Sequence, residues 1–183
     1  HWTGLGAARS AYMLRSHGVL FKRRMTLHDT TIGNIVFIGK VTVNAETYIG
    51  YSSLIGYPSR QNVLAKKSLG DVFIGRRSVI RPFSVIYERV SLGNEFEGGG
   101  FIQIREGNRV GRTVSIGTGT IVERDCVIGD RVRIHSGNFV SEETVIGSST
   151  WIGPCSSILN DKYPPSGRLK GARIQPMAII GAC

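Results

Sequence analysis

The chain has 183 residues, long enough for one domain with a real core, and its 41% hydrophobic and 20% charged content marks it as globular rather than disordered. No apolar run is long enough to span a bilayer. The net charge is +10, but the basic residues are interspersed with Asp and Glu and few aromatics lie between them, which counts against specific nucleic-acid binding. Cys126, Cys155 and Cys183 form no CxxC pair and no even framework. That excludes a disulfide scaffold and suits a reducing cytoplasm.

Residues 1–24 lack the pattern that follows. They hold Arg9, Arg15, Lys22, Arg23 and Arg24 and no acidic residue, and they open on His1 rather than Met. We read them as a non-repeat extension of translated upstream sequence, ahead of a domain over residues 25–183. The competing reading is an Arg-rich targeting segment or surface helix.

Between Thr31 and Gly56 an Ile-Gly pair recurs at Ile32, Ile38, Ile49 and Ile55. The step of 11 from Ile38 to Ile49 places one register slip there. Residues 57–71 break the pattern and read as a projecting loop.

From Ile74 to Ile158 every sixth residue is aliphatic, with Gly98 as the one interruption. A period of six fits neither the 3.6 of an amphipathic helix nor the 2 of an isolated strand. It is the signature of a parallel β-helix of hexapeptide units, so the fold class is all-β. Three hexapeptides make one triangular coil, and residues 18 apart stack, as in the column Ile116, Ile134 and Ile152. Four places after an aliphatic there usually stands a small or modest residue such as Ser78, Ser84, Thr120, Cys126 or Thr150. Directly after it Gly recurs, at Gly75, Gly93, Gly111, Gly117, Gly129, Gly147 and Gly153. Those glycines suggest corners with torsions that other residues resist.

A second interruption, residues 160–172, contains adjacent prolines and leaves the coil as an exposed loop, because Pro cannot join the ladder. The repeat resumes at Ile174 and Ile180 and stops in mid-coil. We read the chain as truncated at its C-terminus.

These Ile-Gly-x-x-x-x repeats resemble the hexapeptide-repeat acyltransferases. The resemblance implies a left-handed parallel β-helix, whereas the general crossover rule would give the right-handed form. The run from Ile104 to Pro165, and "WIGP…LNDKYPP" within it, is similar to N-acetyltransferases of nucleotide-linked amino sugars. That resemblance implies acetyl-CoA as donor, an amino group on a nucleotide-linked deoxysugar as acceptor, and a homotrimer with active sites between neighbouring subunits. Asn160 and Asp161 match an Asn-Asp pair that follows the last regular coil in those enzymes. The match implies Asn160 as a donor near thioester or sugar and Asp161 as an acceptor for the substrate amine. Read from the residues alone, the pair opens a turn. Relatives also carry a His-Asn pair shortly before the "IRE" segment, and here Gly100 and Phe101 stand in its place.

Amine acetylation requires the reactants held together, an oxyanion stabilised and one proton accepted. His135 is the single histidine of the regular body; His1, His17 and His28 precede it. It follows Ile134 at a corner, and its stacked neighbours Gly117 and Gly153 leave room for a ligand against the imidazole. It is a candidate base or substrate contact, against the plainer reading of a solvated edge histidine. Arg105 stacks between Tyr87 and Glu123, which points to a surface ion pair or to a contact with substrate phosphate. Its neighbour Glu106 is a further substrate-binding candidate. Zinc carbonic anhydrases on this type of helix need three histidines. One on the body does not supply them, so no metal is expected. A non-catalytic scaffold or assembly subunit is the alternative class, and Gly100 and Phe101 favour it.

Overall fold

The computed structural model describes residues 24–27, 31–32, 35–65, 70–167 and 169–182. Apart from Arg24, the segment read as a foreign extension lies outside the described residues, as do His1, His17, His28 and Cys183.

Each aliphatic of the lattice lies in a short strand, and the strands form three parallel sheets of eight, eight and seven strands. Chain order cycles through the three faces. Face A carries Ile74, Leu92, Val110, Ile128 and Ile146. Face B carries Ile80, Gly98, Ile116, Ile134 and Ile152. Face C carries Ile86, Ile104, Val122, Val140 and Ile158. In this body every pairing joins residues 18 apart, so each coil lies one inter-strand spacing, about 4.8 Å, above the last. The aliphatic columns fill the prism and are almost entirely buried. Burial of each contributes about 1.5–3 kcal/mol, offset by chain ordering, so the coils are stable only as a stack.

Gly98 is not a defect in this core. A Cβ there would meet Ile102 Cδ1 at 2.6 Å and Phe96 Cε1 at 3.1 Å. Phe96 and Ile102 occupy the positions that are elsewhere small, and both are 1% exposed. They fill from two neighbouring corners the volume that Gly98 leaves on its face.

The N-terminal register differs from the sequence expectation. Phe37, not Ile38, pairs with Ile55 and points inward. From Phe37 the lattice runs through Val43, Ile49 and Ile55 in strict sixes, so the slip falls between Ile32 and Phe37. Alternation allows only one of two adjacent apolar residues to face the core.

The corner glycines also serve another purpose than expected. Gly117 does not take a left-handed φ; a Cβ on it would lie 2.4 Å from Ser136 N and 2.5 Å from His135 C of the next coil. Close backbone stacking requires Gly there. The left-handed residue comes two places later and is usually not Gly, as at Arg77, Phe83, Phe101 and Arg131.

Both interruptions leave from one edge, the corner between faces C and A. The first holds a short helix, Arg60–Ala65. It is fastened by Glu88, whose buried carboxylate accepts from Ser59 N at 2.8 Å, Gly70 N at 3.1 Å and Asn62 Nδ2 at 2.6 Å. Burial alone would raise this carboxyl, but those donors outweigh it and hold it below its ordinary value of 4.5. A depressed folded value means the clamp stabilises above the unfolded pKa and is lost as pH falls through the folded one. Amide protection at Ser59 and Gly70 is therefore expected to collapse on acidification through the lowered pKa of Glu88, before the β-core melts. In Glu88→Gln it is expected to be low already at neutral pH. Protection independent of pH in the parent chain would refute the clamp.

Candidate functional site

Each strand of face B ends at a corner of four residues leading to face C. His135 opens one of these corners and is half-buried. Its N–H donates to Ile152 O at 2.9 Å, which fixes it to the coil above. Its carbonyl accepts from Thr120 Oγ1 at 3.0 Å and from Asn138 Nδ2 at 2.6 Å. The ring lies edge-on to Trp151, with centroids 4.9 Å apart. Nε2 is buried and has no hydrogen-bond partner. Such an orphan is rare and asks for a ligand or a proton donor.

An open depression of about 310 Å³ lies beside this corner, lined by Arg81, Ser115, Gly117, Arg133, His135 and Ser136 among others. Gly117 and His135 line this depression together. On the other side Trp151 fills what Gly153 was expected to leave open.

Asn138 was not singled out in the sequence and is the residue that shapes this corner. It is buried, its amide donates to His135 O, and its Oδ1 accepts Ser156 N of the next coil at 3.0 Å. Asn108 does the same five corners earlier in the chain, donating to Arg105 O at 2.7 Å and Glu123 O at 2.9 Å and accepting from Cys126 N. The signal was present: both stand four places after the aliphatic, where the other residues are small or apolar. Asn138→Ala orphans the Ser156 N–H and leaves the His135 carbonyl with Thr120 Oγ1 as its remaining side-chain donor. It is expected to cost about 1–3 kcal/mol in denaturant unfolding, and Asn138→Asp should recover part of this. An unchanged midpoint in the Ala variant would remove Asn138 from this role.

Arg105, Glu106, Asn160 and Asp161 lie on a different edge, the C–A corner. Arg105 Nη1 is 2.9 Å from Glu123 Oε2, and Nη2 is 3.1 Å from Glu106 Oε1. Its guanidinium lies 5.6 Å from the Tyr87 ring centroid. The expected stack of Tyr87, Arg105 and Glu123 is therefore present, but it is not a surface pair. The Glu106 side chain is only 7% exposed and that of Arg105 30%. Beside them the buried Cys126 thiol is pushed up to about 11 by desolvation, which makes it a poor nucleophile.

Asn160 O accepts Lys170 N at 2.8 Å, closing the second loop. Asp161 receives Tyr163 N at 3.0 Å on Oδ1 and Ser166 N at 2.8 Å on Oδ2. The hydrogen bonds from Ser166, and then that from Tyr163, hold its carboxyl below the usual range. Within one chain His135 and the Asn160–Asp161 pair stand at opposite edges of face C.

Among the described residues, no group of three or more His, Cys, Asp or Glu side chains is placed to hold a metal ion. No described helix is long and apolar enough to cross a membrane.

No protein-family profile matches the chain. Its sequence is 26% identical over 126 residues to the bifunctional protein GlmU of Staphylococcus haemolyticus (strain JCSC1435), covering 62% of this chain and 28% of that protein. Among solved structures, LpxA, a UDP-N-acetylglucosamine acyltransferase from Bacteroides fragilis 9343, superposes with a TM-score of 0.67 at 16% identity. That match covers 72% of this chain and 54% of the LpxA chain. The chain thus spans 28% and 54% of the lengths of these two relatives. The protein is a left-handed parallel β-helix of hexapeptide repeats, similar to the hexapeptide-repeat acyltransferases in fold.

Proposed function

We propose that the protein is an acetyl-CoA-dependent N-acetyltransferase acting on an amino group of a nucleotide-linked amino sugar. The observation that carries this reading is His135: a buried, unpartnered imidazole nitrogen beside an open depression. It lies on the same corner as Gly100 and Phe101, where the similar N-acetyltransferases carry their His-Asn pair. The two places are two coils apart, about 10 Å along the edge. In this reading the base has moved along the corner rather than vanished.

The chemistry is short. The deprotonated amine attacks the thioester carbonyl, and the His135 imidazole, its ring turned so that Nε2 leaves its buried position for the depression, takes the ammonium proton from the tetrahedral intermediate. Collapse of that intermediate forms the amide, breaks the C–S bond and expels the thiolate of CoA, which receives the proton from His135. Asn160 serves as a donor near the thioester or sugar, and Asp161 holds the turn that presents it. His135 and Asn160 stand at opposite edges of face C, so a site using both requires the edge of a neighbouring copy. This supports a homotrimer with sites between subunits. Arg105 and Glu106 act on substrate through the same edge. A cytoplasmic location accompanies a CoA-dependent reaction.

Release of free CoA thiol with a panel of nucleotide-linked amino sugars tests the reading. Turnover that depends on the nucleotide sugar is expected. No turnover, and no acetyl-CoA binding by calorimetry, would favour the scaffold reading instead, for which the Gly100-Phe101 replacement speaks.

A further inference from the structure

Beyond the depression, the corner between faces B and C carries a run of exposed aromatic rings. Tyr51 and Phe83 meet edge-on with centroids 5.2 Å apart, and Phe83 and Phe101 stack at 5.0 Å and 12°. Phe101 is 62% exposed. The stacking follows the coil: Phe83 N bonds to Tyr51 O, Phe101 N to Pro82 O, Gly119 N to Gly100 O, and Gly137 N to Thr118 O. Gly119 and Gly137 are therefore the next two rungs of the same column, and Cys155 is the third.

The run of rings stops at Gly119, where an added Cβ would meet nothing within 4 Å. At Gly137 a Cβ would lie 3.3 Å from Cys155 Sγ, so Cys155 leans over that rung and bounds the gap. From the Phe101 rung to the Gly137 rung is about 10 Å. Less the half-thicknesses of the bounding groups, that admits one planar ring on Phe101. Phe83 and Phe101 themselves adopt φ of 60° and 57°, and Gly119 has φ +69°. The missing ring at Gly119 is thus not dictated by the backbone.

The neighbouring depression supplies charge. Arg133 lines it and makes no ion pair among the described residues. Arg81 lines it too, held by Glu97 at 2.9 Å. An aromatic shelf with one empty rung, next to guanidinium groups, matches a base joined to a diphosphate. Resting on the function proposed above, we infer that the Gly119 rung binds the nucleobase of a nucleoside diphosphate, stacked on Phe101, with its phosphates toward Arg133. The base belongs to the acceptor nucleotide or to the adenosine diphosphate moiety of CoA.

Calorimetry on the full chain with UDP, CoA and inorganic pyrophosphate tests this, using Phe101→Ala and Gly119→Phe. The first removes an exposed ring, and the second extends the run of rings into the empty rung. Thermal melting confirms that each variant folds. Loss of UDP affinity in both, on the order of 5- to 150-fold with pyrophosphate binding unchanged, is expected if the acceptor's base stacks there. The same loss for CoA alone assigns the rung to the donor's adenine. Unchanged affinity for both nucleotides overturns the inference, as does a change in sedimentation of Phe101→Ala without any change in nucleotide binding, which would make the rings a contact between copies. If the parent chain transfers acetyl groups and Phe101→Ala keeps its KM for both substrates, the inference fails alone. If the parent neither transfers nor binds either nucleotide, the functional proposal fails with it.

Discussion

Replacing Gly98 by Ile, which completes the aliphatic lattice, is expected to destabilise the protein rather than to stabilise it. The substituted Cβ alone would lie 2.6 Å from Ile102 Cδ1, inside van der Waals contact, before any further methyl is placed. Overpacking of a filled core costs about 1–3 kcal/mol, which corresponds to a midpoint lower by about 2–4 °C for each kcal/mol in a chain of this size. Phe96→Ala acts in the opposite direction on the same volume. It opens a void beside Gly98 and is expected to cost about 3–5 kcal/mol. The two sites share one space, so they should couple. Gly98→Ile combined with Phe96→Ala is expected to be less destabilised than the sum of the two single changes. Thermal unfolding followed by circular dichroism reads all three. A raised midpoint for Gly98→Ile alone would show that the core around Phe96 and Ile102 is not closed.

The second large effect concerns His135. If its Nε2 takes the proton of the attacking amine, His135→Gln removes general-base catalysis and should lower kcat by about 10²–10⁴-fold. KM should change far less, because the ring is not required to bind either substrate. Structure should be retained, since the hydrogen bonds that fix this corner use the His135 backbone, not its ring. Trp151 provides a control: Trp151→Phe keeps an aromatic edge against the imidazole and is expected to preserve most activity. Full kcat in His135→Gln would leave Nε2 without a catalytic role.

The period of six was sufficient to assign the β-helix, because only a coil of three short strands brings every sixth residue inward. Its two breaks contain Pro58, Pro164 and Pro165, and proline has no N–H to give a ladder. The first coils were less legible: Phe37 and Ile38 are adjacent and both apolar, and only strand pairing decides which of them turns inward. The gap at Gly98 was visible, but its compensation by Phe96 and Ile102 was not, because that volume is shared across two corners and appears only in three dimensions.

The candidate site divides in the same way. The chain order marked His135 as exceptional, and the spacing of 18 correctly put small Gly117 beside it and Arg105 between Tyr87 and Glu123. Spacing could not reveal that Trp151 covers one side of the imidazole, that Asn138 ties the corner, or that Asp161 directs both oxygens into its own loop. Those are side-chain choices among several rotamers. By itself the sequence determined the coil, its register through the body and the edges from which the loops depart, because a repeat stacks on itself and each residue's face follows from its count. The tertiary structure alone decided which side chains share a volume and which polar atoms remain unpaired, because contacts between edges depend on rotamers and on close approach between coils that no one-dimensional period encodes.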